Sequence, residues 1–245
     1  MRIILNGALG RMGTEVDKLI KKGYKGITVA AYCDANSDIP DVYRKLTDIT
    51  ESADAIVDFS HHSAADELCG YALARNMSLV IATTGQTEDE KAIIATTSRA
   101  VPIFFSPNMS AGVAFLNAVV KKASSFFADS DVEIVERHHN KKLDAPSGTA
   151  KLLAETVKSI TGGEIVTGRN GICPRKQGDI GVSSVRGGNV SGVHEVTFYA
   201  GNETFTVTHT AESRGMFAEG ALTAAAFMKD KKPGLYTMTD LLGDL

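Results

Sequence analysis

The three cysteines in these 245 residues, Cys33, Cys69 and Cys173, stand far apart and form no CxxC pair. That leaves no ground for a disulfide framework or a zinc knuckle. Cys173, within Asn170-Gly171-Ile172-Cys173-Pro174, is the best placed of them for a nucleophile, but no signature beside it supplies an activating base. Long runs of lysine or arginine are missing as well, and the formal net charge is -3, which argues against a nucleic-acid partner. The pairs Lys21-Lys22, Lys121-Lys122 and Lys231-Lys232 read as solvated helix faces or ends. No apolar run approaches the roughly 20 residues that cross a bilayer. Only Ile3-Ile4-Leu5 separates Met1-Arg2 from Asn6-Gly7, too little for the core of a signal peptide. A cytoplasmic protein with no membrane partner is therefore expected. At 43% hydrophobic, the chain can bury a substantial core as one large or two smaller domains.

Glycine is placed with purpose near the N-terminus. Gly7-Ala8-Leu9-Gly10-Arg11-Met12-Gly13 follows the apolar run Ile3–Leu5 and precedes a helical pattern of Val16, Leu19 and Ile20. Strand, glycine turn and helix is the order of a dinucleotide-binding motif. In that reading Gly7 permits the turn, Gly10 lets backbone approach a pyrophosphate at the helix end, and Gly13 allows close helix–strand packing. The spacing is GxxGxxG, not GxGxxG. A second strand-like run, Ile27–Cys33, ends at Asp34, about 20 residues past the last glycine, where a carboxylate would bind a ribose hydroxyl. The alternative is a glycine turn in another α/β fold, with Asp34 a solvated strand end.

Up to residue 108 short apolar runs alternate with helical patterns: Ile3–Leu5, Thr28–Cys33, Ala55–Phe59, Leu79–Ala82 and Ile103–Phe105 read as strands of parallel βα units. The loops Asp58-Phe59-Ser60-His61-His62 and Thr83-Thr84-Gly85 follow strand ends and should face the cofactor. His61 and His62 read first as surface or capping groups. Beyond Asn108 the pattern changes. Phe115, Val119, Val120, Ala123, Phe126 and Phe127 form a helical stripe, and Val132 and Ile134 alternate with Glu133 and Val135. Val193–Tyr199 and Glu203–Thr210 flank a Gly201-Asn202 turn, an antiparallel hairpin signal. Gly162–Gly192 reads as a long, glycine-rich mobile loop, and Phe217–Met228 as an alanine-rich helix. The expected fold class is α/β: an N-terminal Rossmann-like parallel sheet over 1–108, a second α+β domain over 109–214, and a C-terminal segment over 215–245.

Residues 136 to 149, Glu136-Arg137-His138-His139-Asn140-Lys141-Lys142-Leu143-Asp144-Ala145-Pro146-Ser147-Gly148-Thr149, gather the chemistry. Ser147 precedes the apolar pattern Leu152, Leu153, Val157 and Ile160 and reads as an N-cap, so a helix should start at Gly148-Thr149. Its free N–H groups and positive end suit a carboxylate. Lys142 adds a full positive charge, although Lys141 and Lys142 also fit an exposed loop. Adjacent positions point in different directions in strand and helix alike, so His138 and His139 do not chelate one ion, and no metal is expected. One of the two imidazoles can face a substrate as proton donor while the other tunes its surroundings; a packed structural role is the alternative.

The run from Glu136 to Ala150 closely resembles the signature of the 4-hydroxy-tetrahydrodipicolinate (dihydrodipicolinate) reductase family. Gly7–Gly13, Thr83-Thr84-Gly85, Ser106-Pro107-Asn108-Met109-Ser110 and Ser213-Arg214 fall in that family's order. The resemblance implies NADH- or NADPH-dependent reduction of a cyclic, unsaturated dicarboxylate to tetrahydrodipicolinate, on the route to diaminopimelate and lysine. It makes His138 the general acid, His139 a substrate contact, and Lys142 the ligand of a substrate carboxylate, with Ser147, Gly148 and Thr149 around the carboxylate oxygens. It puts Gly10, Arg11, Met12, Asp34, Thr83 and Thr84 on the cofactor, and Ser106, Pro107, Asn108 and Met109 near the nicotinamide. It also implies a homotetramer built through the substrate-domain sheet, and a C-terminal segment that returns to the nucleotide domain. Two positions depart from the family pattern. Ala82 stands where glycine is common, and Ala35 follows Asp34 where a basic residue often meets the 2′-phosphate of NADPH. Other readings are a different NAD(P)-dependent dehydrogenase of carboxylated substrates, or a regulator that binds NAD(H) without chemistry. A regulator should carry a basic nucleic-acid-binding helix, and none is evident.

Overall fold

The structure is a computed structural model that describes residues 1–243; Asp244 and Leu245, the end of the expected C-terminal segment, lie outside the described residues. Among the described residues the chain divides into two compact units, one comprising Met1–Ala111 and residues 214–243, the other Gly112–Ser213.

The first unit is a seven-stranded parallel sheet. Its strands are β1 (Arg2–Asn6), β2 (Thr28–Cys33), β3 (Val42–Tyr43), β4 (Ala55–Asp58), β5 (Ser78–Ile81), β6 (Pro102–Phe105) and β12 (Gly234–Tyr236), in the order β12-β6-β5-β4-β1-β2-β3. The helices are α1 (Arg11–Lys21), α2 (Ala65–Arg75), α3 (Glu88–Thr97), α6 (Gly215–Phe227) and the short α7 (Met238–Leu242). Ile3, Ile4, Leu5, Ile56, Val57, Leu79, Val80, Ile103 and Phe104 are fully buried, which explains why the central strands are unbroken apolar runs and not alternating ones: helices cover both faces. The strand order reverses at β1 and β4, and the crevice outside the carboxyl ends of strands at such a point is where open α/β sheets bind ligands. Helix α6 is apolar on nearly all sides because it is buried, with Ala218, Ala221, Leu222, Ala224 and Ala225 inaccessible. The two- and three-residue strands β3 and β12 gave no sequence signal of their own.

The second unit holds α4 (Ala111–Phe126), β7 (Asp131–His138), α5 (Gly148–Thr161), β8 (Glu164–Thr167), β9 (Asp179–Arg186), β10 (Val193–Ala200) and β11 (Glu203–Thr210). Its sheet runs β11-β10-β7-β9-β8. Leu116 and Val120 of α4 and Leu153, Ala154 and Val157 of α5 pack on one face, against Val132, Ile134, Ile180, Val182, Val196 and Phe198. The hairpin β10–β11 and the pair β10–β7 are antiparallel, as the alternation predicts. The expectation of a mobile loop over Gly162–Gly192 is corrected: β8 and β9 lie inside it, both parallel to their neighbours, so the sheet is mixed. The glycine that disguised β9 is a packing residue. A Cβ on Gly181 would sit 1.9 Å from Glu133 Oε2, which crosses over it from β7.

Close packing also fixes the first turn of the chain. A Cβ on Gly13 would lie 2.2 Å from Gly7 O and 2.6 Å from Ala8 O, backbone atoms that cannot yield. Gly13→Ala is expected to cost about 3 kcal/mol through overpacking and to lower the melting temperature by about 6 °C or more. A thermal denaturation curve within 1 °C of wild type would refute this account of the turn.

Candidate active site

Parallel pairing in the first unit puts Asn6, Cys33, Asp58, Ile81 and Phe105 at the same edge of the sheet, so the loops that follow them all leave from that edge. Asn6 Nδ2 donates to Asp58 Oδ1 at 2.8 Å and ties β1 to β4 where the order reverses. Gly7 turns the chain with φ +74, and a Cβ there would meet Phe59 backbone at 2.6 Å. Gly10 is the N-cap of α1 and brings no side-chain cap, while Arg11 is exposed and Met12 half-buried in the first turn. A cavity of about 440 Å³ opens here, lined by Gly7, Gly10, Asp34, Arg44 and His61 among others. An uncapped helix end beside a cavity, framed by glycines, is what a dinucleotide pyrophosphate requires.

Asp34 lines this cavity but is not wholly free for a ribose. Its carboxylate accepts the Leu9 N–H at 3.0 Å and the Asn36 N–H at 3.1 Å, so it also clamps the glycine loop. His61 N-caps the short turn before α2, in keeping with the capping reading, whereas His62 pairs instead with Glu90, its Nδ1 2.9 Å from the carboxylate. Ala82 and the loop Thr83–Thr84 follow β5. The Gln86 amide fixes buried Thr83, donating to its hydroxyl at 2.8 Å and to its carbonyl at 3.1 Å. In the loop after β6, Ser106 Oγ donates to Asn108 O at 2.8 Å, Pro107 is exposed and Met109 is buried. Gly220 of α6 packs on the Met109 carbonyl so closely that a Cβ would overlap it. Ala82 to Thr84 and Ser106 to Met109 share the sheet edge but do not line the cavity. Burial pushes the Cys33 thiol up to about 12, which removes it as a nucleophile.

In the second unit, β7 ends at His138, and Ser147 caps α5 by accepting the Ala150 N–H. Gly148 and Thr149 form the first turn of that helix, as the sequence predicts. His139 donates its N–H to Val190 O at 2.8 Å and accepts the Lys142 N–H at 3.2 Å, closing a turn. Lys142 Nζ pairs with Asp144 Oδ1 at 2.7 Å.

Beneath these residues lies a carboxylate to which the sequence analysis gave no role. Glu136 has no side-chain exposure. Its Oε2 is 2.6 Å from His138 Nδ1 and accepts Arg186 Nη1 at 2.8 Å; its Oε1 accepts Arg186 Nη2 at 2.7 Å and the Ser147 N–H at 3.1 Å. Burial pushes the Glu136 pKa up, but the Arg186 guanidinium, the Ser184 hydroxyl, His138 and the Ser147 N–H outweigh it and hold the group at about 2. Arg186 also donates to Asp144 O at 2.6 Å, in the loop that carries Lys142. His194, buried on β10 opposite Glu136, hydrogen-bonds Ser147 Oγ through Nε2 at 2.9 Å. Burial, then the neighbouring His138, push its pKa down to about 4. Glu136 was open to discovery, because residues two apart on a strand share a face. Arg186 and His194 come from strands 50 and 58 residues further on, and only the register brings them in.

A parallel nucleotide-binding sheet with an open helix end, together with a buried carboxylate–imidazole pair beside a second helix start, defines a nicotinamide-dependent oxidoreductase. Residues 1–109 match the family model described as "Dihydrodipicolinate reductase, N-terminus", and residues 112–242 the one described as "Dihydrodipicolinate reductase, C-terminus". The 4-hydroxy-tetrahydrodipicolinate reductase of Caldanaerobacter subterraneus subsp. tengcongensis is 43% identical over 99% of this chain and 98% of its own; that of Clostridium novyi is 39% identical over 98% of each. Among solved structures, the dipicolinate-bound dihydrodipicolinate reductase from Paenisporosarcina sp. TG-14 shares the fold, with a TM-score of 0.82 over 98% of both chains at 22% identity. This chain belongs to the dihydrodipicolinate reductase family and is an oxidoreductase that uses a nicotinamide cofactor.

The buried histidine has a consequence for stability. Below pH 6.5 the unfolded His194 takes up a proton that the folded one refuses until about pH 4, so stability falls as pH drops through that window, by up to about 3 kcal/mol. Glu136 acts lower: its contribution is complete above pH 4.5 and lost toward pH 2. Urea unfolding of His194→Gln between pH 6.5 and 4 should show a flatter dependence than wild type. Identical slopes would remove His194 as the cause.

Proposed function

We propose that His138 supplies the proton and Lys142 binds a substrate carboxylate in the family reaction, the reduction of 4-hydroxy-tetrahydrodipicolinate (dihydrodipicolinate) to tetrahydrodipicolinate in diaminopimelate and lysine biosynthesis. The observation that carries this reading is the 2.6 Å contact between buried Glu136 and His138 Nδ1, which fixes one imidazole at the end of β7 with its other nitrogen turned away from the carboxylate. The bound cofactor would supply a hydride to the conjugated C=N ring. Gly7, Gly10, Arg11, Met12 and Gly13 would hold its pyrophosphate and Asp34 its adenosine ribose, with Ala82 to Thr84 and Ser106 to Met109 toward the nicotinamide. The charge that hydride addition leaves on the ring is quenched by the proton from His138. Ser147, Gly148 and Thr149 offer a carboxylate the start of α5, and His139 adds a polar contact. The Lys142–Asp144 pair is partly exposed, and such a pair holds weakly in water, so a dianionic substrate can take the ammonium group from Asp144. The related Paenisporosarcina enzyme is bound to dipicolinate, a planar dicarboxylate, which supports a substrate of that class.

Cytoplasmic location and a homotetramer belong to the same reading. The sheet face opposite α4 and α5 leaves Val185 and Tyr199 exposed and carries the threonines of β11, a surface suited to a second copy.

With substrate generated by dihydrodipicolinate synthase and cofactor absorbance followed, His138→Ala and Lys142→Ala should each lose at least about a hundredfold in turnover, the scale of a positioned acid–base group. Near-wild-type rates in both would discard the assignment. For the cofactor, NADH should serve at least as well as NADPH, since Asp34 repels a 2′-phosphate. The counterweights are Arg11 and Arg44, a cation on the cavity wall that the sequence did not flag. Fluorescence titration should give NADPH no more than parity in wild type and a weaker Kd in Arg44→Ala. A tenfold wild-type preference for NADPH, about 1.4 kcal/mol, would contradict it.

A further inference from the structure

We propose that Glu136, neutralised by Arg186, is a positioning residue that fixes the proton of neutral His138 on Nδ1 and so commits Nε2 to proton transfer. This rests on the proton-donor reading of His138 above. The inference comes from who faces the carboxylate. Both Glu136 oxygens are surrounded by donors: Ser147 N–H and Arg186 Nη2 at Oε1, Arg186 Nη1 and His138 Nδ1 at Oε2. The guanidinium and the backbone amide can only donate. A carboxylate held ionised this firmly accepts only, so Nδ1 must carry the hydrogen in the 2.6 Å contact.

The other ring nitrogen is left clear. Among the described residues nothing hydrogen-bonds His138 Nε2, and the position beside it is a glycine: a Cβ on Gly192 would stand 3.0 Å from that atom. The chemistry then balances without a further reagent. The doubly protonated ring gives its Nε2 proton to the electron pair that hydride addition leaves on the substrate ring. The imidazole is left neutral with hydrogen on Nδ1, the tautomer Glu136 stabilises, and the substrate has gained two hydrogens. Arg186 keeps Glu136 from being a lone buried charge, and its bidentate grip orients both oxygens.

Glu136→Gln makes the test sharp. An amide NH2 cannot face Arg186 and the Ser147 N–H together, so its least costly orientation aims the NH2 at His138 Nδ1, which must then accept. The proton of the neutral ring moves to Nε2, and a ring without hydrogen on Nδ1 cannot release the Nε2 proton except as an imidazolate. The measurement is the 15N shift pair of the His138 imidazole in the full-length protein at pH 8, its signals identified by their loss in His138→Ala, combined with kcat and calorimetric binding of pyridine-2,6-dicarboxylate. Wild type should show the Nδ1–H pattern. Glu136→Gln should show Nε2–H, a loss in kcat of about a hundredfold, and a dicarboxylate Kd within about threefold of wild type. An Nε2–H pattern in wild type, or a Glu136→Gln protein that keeps Nδ1–H and a kcat within threefold, would overturn the proposal. Should the single variant fail to fold, Glu136→Gln/Arg186→Gln removes both charges together and is judged by the same readouts and the same outcomes. Failure of the proton-donor reading looks different: His138→Ala would then retain turnover, whatever the tautomer.

Discussion

One buried ion pair holds the second unit's chemistry in place. Glu136 and Arg186 meet through two hydrogen bonds below the end of β7, and from that pair contacts reach His138, the N-cap residue Ser147 and the carbonyl of Asp144. The imidazole, the helix start and the lysine loop are thus referenced to a single carboxylate. A charge taken fully out of water is tolerated only if its lone pairs are satisfied, and here they are, by a guanidinium, a backbone amide and an imidazole. Satisfaction on this scale restricts geometry: none of the three groups can shift without exposing an unpaired buried charge.

In the first unit the comparable constraint is steric. Gly7 turns against the Phe59 backbone, Gly13 lies against the Gly7 and Ala8 carbonyls, and Asp34 draws in the loop through the Leu9 N–H. The loop is held from three sides, and the uncapped end of α1 is what it presents to the cavity. Asp34 clamps the loop and still lines the cavity, and a carboxylate has enough lone pairs to accept from a further donor there. Arg44, the residue after the short strand β3, joins it on the cavity wall. On the reading proposed above, a cofactor's adenosine end would meet this carboxylate and this guanidinium, and their balance would decide between a hydroxyl and a phosphate.

The sequence by itself determined what is local. Unbroken apolar runs mark strands buried on two faces, the spacing of Gly7, Gly10 and Gly13 marks a turn into a helix, and Ser147 before an apolar 3.6-residue pattern marks a helix start. The motif around His138 and Lys142 carried the family. Each of these signals lies within one turn, strand or helix and is written by neighbouring residues. Tertiary structure decided the rest. It made β8 and β9 out of a stretch whose glycines read as loop, because Gly181 is there to let Glu133 cross the strand. It paired His138 with Arg186 and Glu136 with His194 through register alone, and it brought Arg44 to the cavity from beyond the Asp34 turn. Such partners are set by which strand lies beside which, a choice governed by burial of the whole sheet face, and no local pattern of residues encodes it.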